Sequence, residues 1–302
     1  MKRTILIILL TCCLPLFTNA QGCSDAGVCT AGSFHQSSSS LDTLDLEAGM
    51  ILGLGDGGTL IMDLQILAAF HFNENWTIQT KVPYRMIFGD LGNVQGLADP
   101  TIVLTYSPII KEKSRLALNL GVKFKANDGD QLDEEGQPLP MVYQTSLGTT
   151  DLLAGVTFSF KQTKAGMALQ VPFGTNENGF VSDPLSFSDA PFPTTQRLTR
   201  QPDLVLRVDQ SFQSKNEKWA FTLGALPIFH LGEDTYEDAS GNEVSIDGSS
   251  GLTLNITFAA TREFYNGRSL SLRGGFPAVV RETRPDGLTR NWVVGLFYDM
   301  GF

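Results

Sequence analysis

From residue 41 onward, apolar and polar side chains alternate over segments of ten residues or more, the period of a strand with one apolar face. In the last segment Trp292, Val294, Leu296, Tyr298, Met300 and Phe302 share one face, with Asn291, Val293, Gly295, Phe297, Asp299 and Gly301 opposite. Leu252, Leu254, Ile256, Phe258 and Ala260 oppose Thr253, Asn255, Thr257 and Thr261 in the same way, and Leu116, Leu118, Leu120, Val122 and Phe124 oppose Arg115, Asn119, Lys123 and Lys125. Similar faces run through 60–72, 76–86, 152–160 and 219–229, with weaker ones at 42–54, 98–108, 165–172, 202–212 and 268–282. No helical period competes, so the pattern predicts an all-β chain of about twelve strands.

The connections fall into two classes that take turns along the chain. Tight turns are expected at 73–75, 110–114, 162–164, 214–217 and 265–267; longer or Gly-rich links are expected at 53–58, 89–97, 127–147, 174–200, 232–250 and 283–287. A soluble sandwich has no reason to keep its long loops at one end, and about twelve large apolar faces are more core than a chain of this length needs. A transmembrane antiparallel up-and-down β-barrel accounts for both features, with short periplasmic turns and long outer loops. Unpaired backbone groups are intolerable in hydrocarbon, so a spanning sheet must close on itself. Aromatics expected at the two interfaces include Trp76, Phe160, Trp219 and Phe264 beside the tight turns, and Tyr84, Phe88 and Phe229 towards the outer ends.

Composition and charge narrow the remaining classes. The net charge of -10 would repel a polyanion, so no nucleic-acid partner is expected. Lys2 and Arg3 precede an apolar run from Ile5 to Phe17, and Thr18-Asn19-Ala20 offers a cleavage site before Gln21, so residues 1–20 read as a signal peptide. Residues 21–40 then form a flexible N-terminal segment ahead of a barrel at 41–302. This segment carries Cys23 and Cys29, which an oxidising compartment favours pairing; lipidation of Cys23 is the alternative. Two thiols alone do not make a metal site, and no cofactor is expected.

The final strand, ending on Phe302 with Met300 and Tyr298 at alternating positions, resembles the assembly signal of Gram-negative outer-membrane barrels. The chain as a whole resembles small outer-membrane barrels of the Bacteroidetes type. Lys81-Val82-Pro83-Tyr84, followed by Gly96-Leu97-Ala98-Asp99 before a strand, is similar to the transporter family linked to meta-pathway phenol degradation. That family is itself akin to the long-chain fatty-acid transporters of the outer membrane. Ala98 stands where the family often has Gly. The resemblance implies an outer-membrane location, with membrane lipid and the barrel-assembly machinery as partners. It further implies passage of small, hydrophobic or aromatic solutes.

If the apolar faces meet lipid, the opposite faces line a lumen. They carry Asp45, Glu47, Asp63, Gln65 and Asp299, then Lys81, Arg85, Arg115, Lys123 and Lys125, then Arg207, Arg273, Arg281 and Arg290, with Asp151, Asp203 and Asp209 interleaved. Such charges either pair into a structural plug or line a hydrated passage. The loops 127–147 and 232–250 are acidic and read as solvated surface. The loop 173–202, with Phe180, Leu185, Phe187 and Phe192, is apolar enough to cover the mouth, fold inward or receive a hydrophobic solute. A barrel without transport is the second reading. A lipid hydrolase is the third, for which His230 with Ser249 or Ser250 would have to serve; His35 and His71 are placed wrongly for an outer-leaflet site.

Overall fold

The computed structural model describes residues 44–111, 114–182, 192–264, 267–287 and 290–300. The expected signal peptide at 1–20, the N-terminal segment 21–40 with Cys23, Cys29 and His35, and Leu185, Phe187 and Phe302 lie outside the described residues. In chain order the strands are β1 (Leu44–Gly55), β2 (Leu60–His71), β3 (Trp76–Gly89), β4 (Gly92–Leu97), β5 (Thr101–Tyr106), β6 (Ile109–Lys111), β7 (Ser114–Lys123) and β8 (Thr150–Phe160). They continue with β9 (Thr163–Phe173), β10 (Asp203–Gln213), β11 (Trp219–His230), β12 (Thr235–Glu237), β13 (Glu243–Ser245), β14 (Gly251–Glu263), β15 (Ser269–Val279) and β16 (Arg290–Asp299). Sequence neighbours pair antiparallel around the ring, β2 pairs β3, and β1 pairs β16 from Glu47↔Asp299 to Gly55↔Arg290. The result is a closed barrel of 12 staves. The small β12–β13 hairpin stands apart on an outer loop.

One stave is composite. β4 and β5 both pair β3 and are separated by Ala98-Asp99-Pro100, while β6 continues the same run against β7. Pro100 has no amide to give the ladder and Pro83 stands across from the break, so the regular register cannot continue there. The Ala98 amide donates to the Pro83 carbonyl at 2.9 Å. Residues 92–97, expected as part of a loop, are therefore strand.

The outward faces carry the apolar residues of the sequence pattern. Ile66, Leu120 and Leu223 stand 57–61% exposed. Left in water, each such side chain would forgo about 2 kcal/mol of burial, and hydrocarbon removes that cost. Phe70, Phe72, Trp76, Phe160, Trp219 and Phe264 ring the short-turn end, and Tyr84, Phe88, Phe173 and Trp292 the other. The turns at the first end are locally encoded: the Asn73 carboxamide oxygen accepts the amides of Asn75 and Trp76 at 2.9 and 3.1 Å.

The outward face sets a stability test. Leu223→Arg, near the middle of β11, should cost about 2–4 kcal/mol of folding free energy, measured by denaturant titration in lipid vesicles. Thr222→Lys, its lumen-facing neighbour, should cost less than half as much, and equal losses would contradict the assignment of faces.

Candidate functional site: a plugged, self-neutralised lumen

Alternation turns the other face of each stave inward, and the polar residues there sit close enough to satisfy one another. At the periplasmic end His71 Nε2 lies 2.9 Å from Asp45 Oδ2, and its Nδ1 lies 2.8 Å from Thr77 Oγ1. Arg273 forks onto Glu47, bonding one oxygen at 2.9 Å through Nη1 and the other through Nη2, with its guanidinium 4.1 Å from the centre of the Phe297 ring. Arg207 Nε donates to Asp209 at 2.6 Å. Across the ring, Thr105 donates to Asn119 at 2.9 Å. The Asp45–His71–Thr77 chain has the connectivity of a hydrolytic triad. Its three members come from the neighbouring strands β1, β2 and β3.

Higher in the barrel the charges merge into a buried ribbon. Arg85 grips Asp63 with two bonds of 2.8 and 3.0 Å, and Arg290 stands 3.9 Å from the same carboxylate. On the other wall Lys123 lies 2.7 Å from Asp151 and 3.8 Å from Asp99. Arg200 bridges Asp151 and Asp203 at 3.4 and 3.2 Å. His230 then bridges Asp203 and Asp234, each at 2.7 Å, and Arg281 joins Asp234 at 4.0 Å to Asp286. With a carboxylate on each ring nitrogen, His230 has neither nitrogen free and links Asp203 to Asp234. Charges this deep are tolerated only when paired, and the alternation of sign along the ribbon supplies a partner at every step.

Above the ribbon the inward face changes character. Asp63 gives way to Ile61, and Arg85 to Ile87, one step nearer the outer rim on the same faces. Against these two isoleucines pack Leu139, Val142 and Tyr143, supplied by the loop between β7 and β8, with Phe192 and Val94 behind them. Residues 139–149 of that loop are buried. The segment is a plug seated in the outer half of the lumen. Its lower face carries Thr145 and Leu147, which with Asp63, Lys81, Arg85, Asp99 and Lys123 enclose a cavity of about 20 Å³, room for about one water.

The plug is tied at its neck and braced inside. Asp99 accepts the Ala126 amide on one carboxylate oxygen at 3.0 Å and the Leu147 amide on the other at 3.1 Å, clamping both ends of the inward segment. Gln144 knits the two limbs, accepting the Gln131 amide at 2.8 Å and donating to the Leu139 carbonyl at 2.9 Å. Asn178, from the following loop, donates to the carbonyls of Gly129 and Leu139. The Leu91 amide donates to the Tyr143 hydroxyl at 3.2 Å; burial pushes that phenol above its ordinary range, with the amide bond pulling the other way. A second apolar cluster of Met141, Leu147, Leu198 and Ile246 binds the plug to the outer loops.

Of the residues expected inside, Asp45, Glu47, Asp63, Lys81, Arg85, Lys123, Arg207 and Arg273 lie on inward faces in the contacts above or bordering the small cavity. Arg115 and Asp299 occupy inward positions at the periplasmic end. Arg281 follows β15 and is buried in the mouth. Lys125 departs from expectation: β7 ends at Lys123, the stave's alternation stops with it, and Lys125 is half exposed, paired with Asp128. The acidic loop 127–147 was expected on the surface, and its second half is instead the plug. The described parts of the apolar loop, on either side of 183–191, pack over the mouth, Phe192 edge-on to Tyr143 and to Phe180, with ring centres 6.2 and 6.5 Å apart. Asp99, Arg200, Asp234 and Asp286 were not foreseen as members of the ribbon. The apolar run Leu139-Pro140-Met141-Val142-Tyr143 inside an otherwise acidic loop, together with apolar Ile61 and Ile87 on polar faces, was the available signal.

No family model matches the chain, and neither does any curated protein. Among solved structures it is similar to the COG4313 outer membrane channel from Pseudomonas putida F1, with a TM-score of 0.57 and 13% identity over 86% of this chain and 98% of that one. The NanC porin gives a TM-score of 0.47 at 9% identity, over 85% and 97% of the two chains. The CymD monoaromatic hydrocarbon channel gives 0.45 at 12%, over 95% and 94%. The first of these places the fold among outer-membrane barrels, in agreement with the apolar belt and paired interface aromatics.

A Cβ added to Gly89 would stand 2.2 Å from the Tyr143 hydroxyl oxygen, nearer than any real contact. Gly89→Ala should therefore lever the plug outward and expose Tyr143. Chymotrypsin, excluded from Tyr143 in the wild type, should cleave the folded variant there; unchanged resistance would mean that the plug is not seated against Gly89.

Proposed function

We propose that the protein is an outer-membrane channel for small, uncharged solutes of hydrophobic or aromatic character, closed at its outer end by residues 127–147. The observation that carries this reading is the combination of a closed barrel of 12 staves with a filling that is a folded loop in its outer half. An 8-stranded barrel is filled by its own side chains, and a wider one has room to spare. Here that room is taken by a segment whose two ends are held at the Asp99 neck and which otherwise rests on the wall through apolar packing and one hydrogen bond from Leu91, contacts that a displaceable gate can release. The similarity of Lys81-Val82-Pro83-Tyr84 and Gly96-Leu97-Ala98-Asp99 to the phenol-degradation transporter family supports the solute class, and Asp99 of the second motif is the residue that holds the neck.

Electrostatics favours an uncharged solute. Most of the inward cations described above have a carboxylate partner, as in Glu47–Arg273, Asp63–Arg85, Lys123–Asp151 and Arg207–Asp209. Such a wall offers little net field to concentrate either sign of ion. The geometry also speaks against the hydrolase reading: both His230 nitrogens face carboxylates, leaving none for a serine, and Ser249 is spent on the Asp234 amide and the Ile246 carbonyl.

Replacing residues 130–144 with a short Gly-Ser linker should open the lumen. Under a KCl gradient across a planar bilayer, the reversal potential of the shortened protein should lie within about 10 mV of zero, as expected for a wall whose charges cancel. Vesicles carrying it should take up benzyl alcohol faster than benzoate or benzylammonium. Strong selectivity for one ion, or no flux of any solute, would refute the reading.

A further inference from the structure

At the periplasmic end of β14, Arg262 stands on the lipid-facing side of the sheet. It is the register partner of Trp219 on β11 and Leu270 on β15, both outward residues, while its neighbour Thr261 turns inward to meet Ser271 at 2.9 Å. The guanidinium carbon lies 5.5 Å from the centre of the Trp219 ring and 5.4 Å from that of Phe264. Trp219 is in turn stacked on Phe221, nearly parallel. A cation flanked by two ring faces is held by their quadrupoles without spending any N–H donor. Among the described residues those two rings are the partners of Arg262, with no hydrogen bond or ion pair, so its five donors remain available.

This contrasts with the opposite end of the barrel. There the exposed cations Lys125 and Arg197 are matched to Asp128 and Glu237. At the periplasmic rim Lys218 and Arg268 flank Arg262, their carbonyls bonded to the amides of Glu263 and Phe264. With Lys215 added and Glu217 and Glu263 set against them, four cations face two carboxylates at this rim of a chain of net charge -10, a local positive excess at the level where interface aromatics meet lipid headgroups.

We propose that Arg262 binds the phosphodiester of a phospholipid in the periplasmic leaflet, with anionic lipids preferred. Trp219 and Phe264 orient the guanidinium plane and present apolar surface to the upper acyl chain. A planar fork held in place suits bidentate contact with a phosphate, and the membrane is the one source of phosphate that reaches a lipid-facing position. The inference rests on the barrel's place in a membrane and not on what crosses its lumen.

The test is native mass spectrometry of the refolded barrel, released from micelles titrated with phosphatidylglycerol, phosphatidylethanolamine or diacylglycerol of matched chains. Wild type should retain phosphatidylglycerol most strongly, phosphatidylethanolamine less, and diacylglycerol not at all. Arg262→Gln should weaken the first phosphatidylglycerol adduct at least about fivefold, in line with loss of a charge-assisted pair. Trp219→Leu, which keeps the charge and removes one ring, should weaken it less. The heat-dependent gel shift of a folded barrel verifies each variant. Undiminished phosphatidylglycerol binding by Arg262→Gln, or diacylglycerol retained as well as phosphatidylglycerol, would overturn the proposal.

Discussion

Inside a bilayer the backbone has no hydrogen-bond partner but itself, and this constraint organises the molecule. The pairing of β1 with β16 closes the ring and leaves no spanning edge. Closure fixes an interior width, and twelve staves make it wider than wall side chains alone can fill. The chain meets that geometry in two layers: paired charges in the lower and middle lumen, and a folded loop above them. Both layers are consequences of closure, because neither the ribbon nor the plug would have a place in an open sheet.

The two layers depend on each other through Asp99. It sits in the break of the composite stave, where two prolines interrupt the ladder, and its carboxylate is free to hold the plug's neck. Lys123 reaches towards the same carboxylate and towards Asp151, so the neck and the ribbon share a cation. A local defect in the sheet is thereby the anchor of the gate. Movement of the plug would disturb the ribbon at one end, while the pairs at the periplasmic end, such as Glu47 with Arg273, would stay in place.

The barrel was legible in the sequence because the lipid imposes a period of two, and segments such as Leu252 to Phe258 display it without interruption. Lys81, Arg85 and Asp63 could be placed inside by parity alone. Parity fails where strands stop, which is why Lys125 was misplaced two residues past the end of β7. Loops obey no period, so the burial of Met141 and Tyr143 and the roles of Arg200 and Asp234 depend on contacts between segments distant in the chain, such as Met141 with Ile246, Arg200 with Asp151 and Asp234 with Arg281. The exception was readable in principle: Ile61 and Ile87 are apolar where their faces should be polar, and an apolar inward residue needs something apolar to cover it.

The central claim is that residues 127–147 close the path that solutes take. Gly96 on the wall faces Thr145 on the plug, with a Cβ at Gly96 lying 3.4 Å from the Thr145 hydroxyl oxygen, so Gly96→Cys with Thr145→Cys can form a disulfide across the gap. In a background with Cys23 and Cys29 changed to Ser, solute uptake by reconstituted vesicles should fall to the level of empty vesicles on oxidation and return on reduction. Uptake that ignores the oxidation state of a fully formed tether would mean that the plug is not the gate.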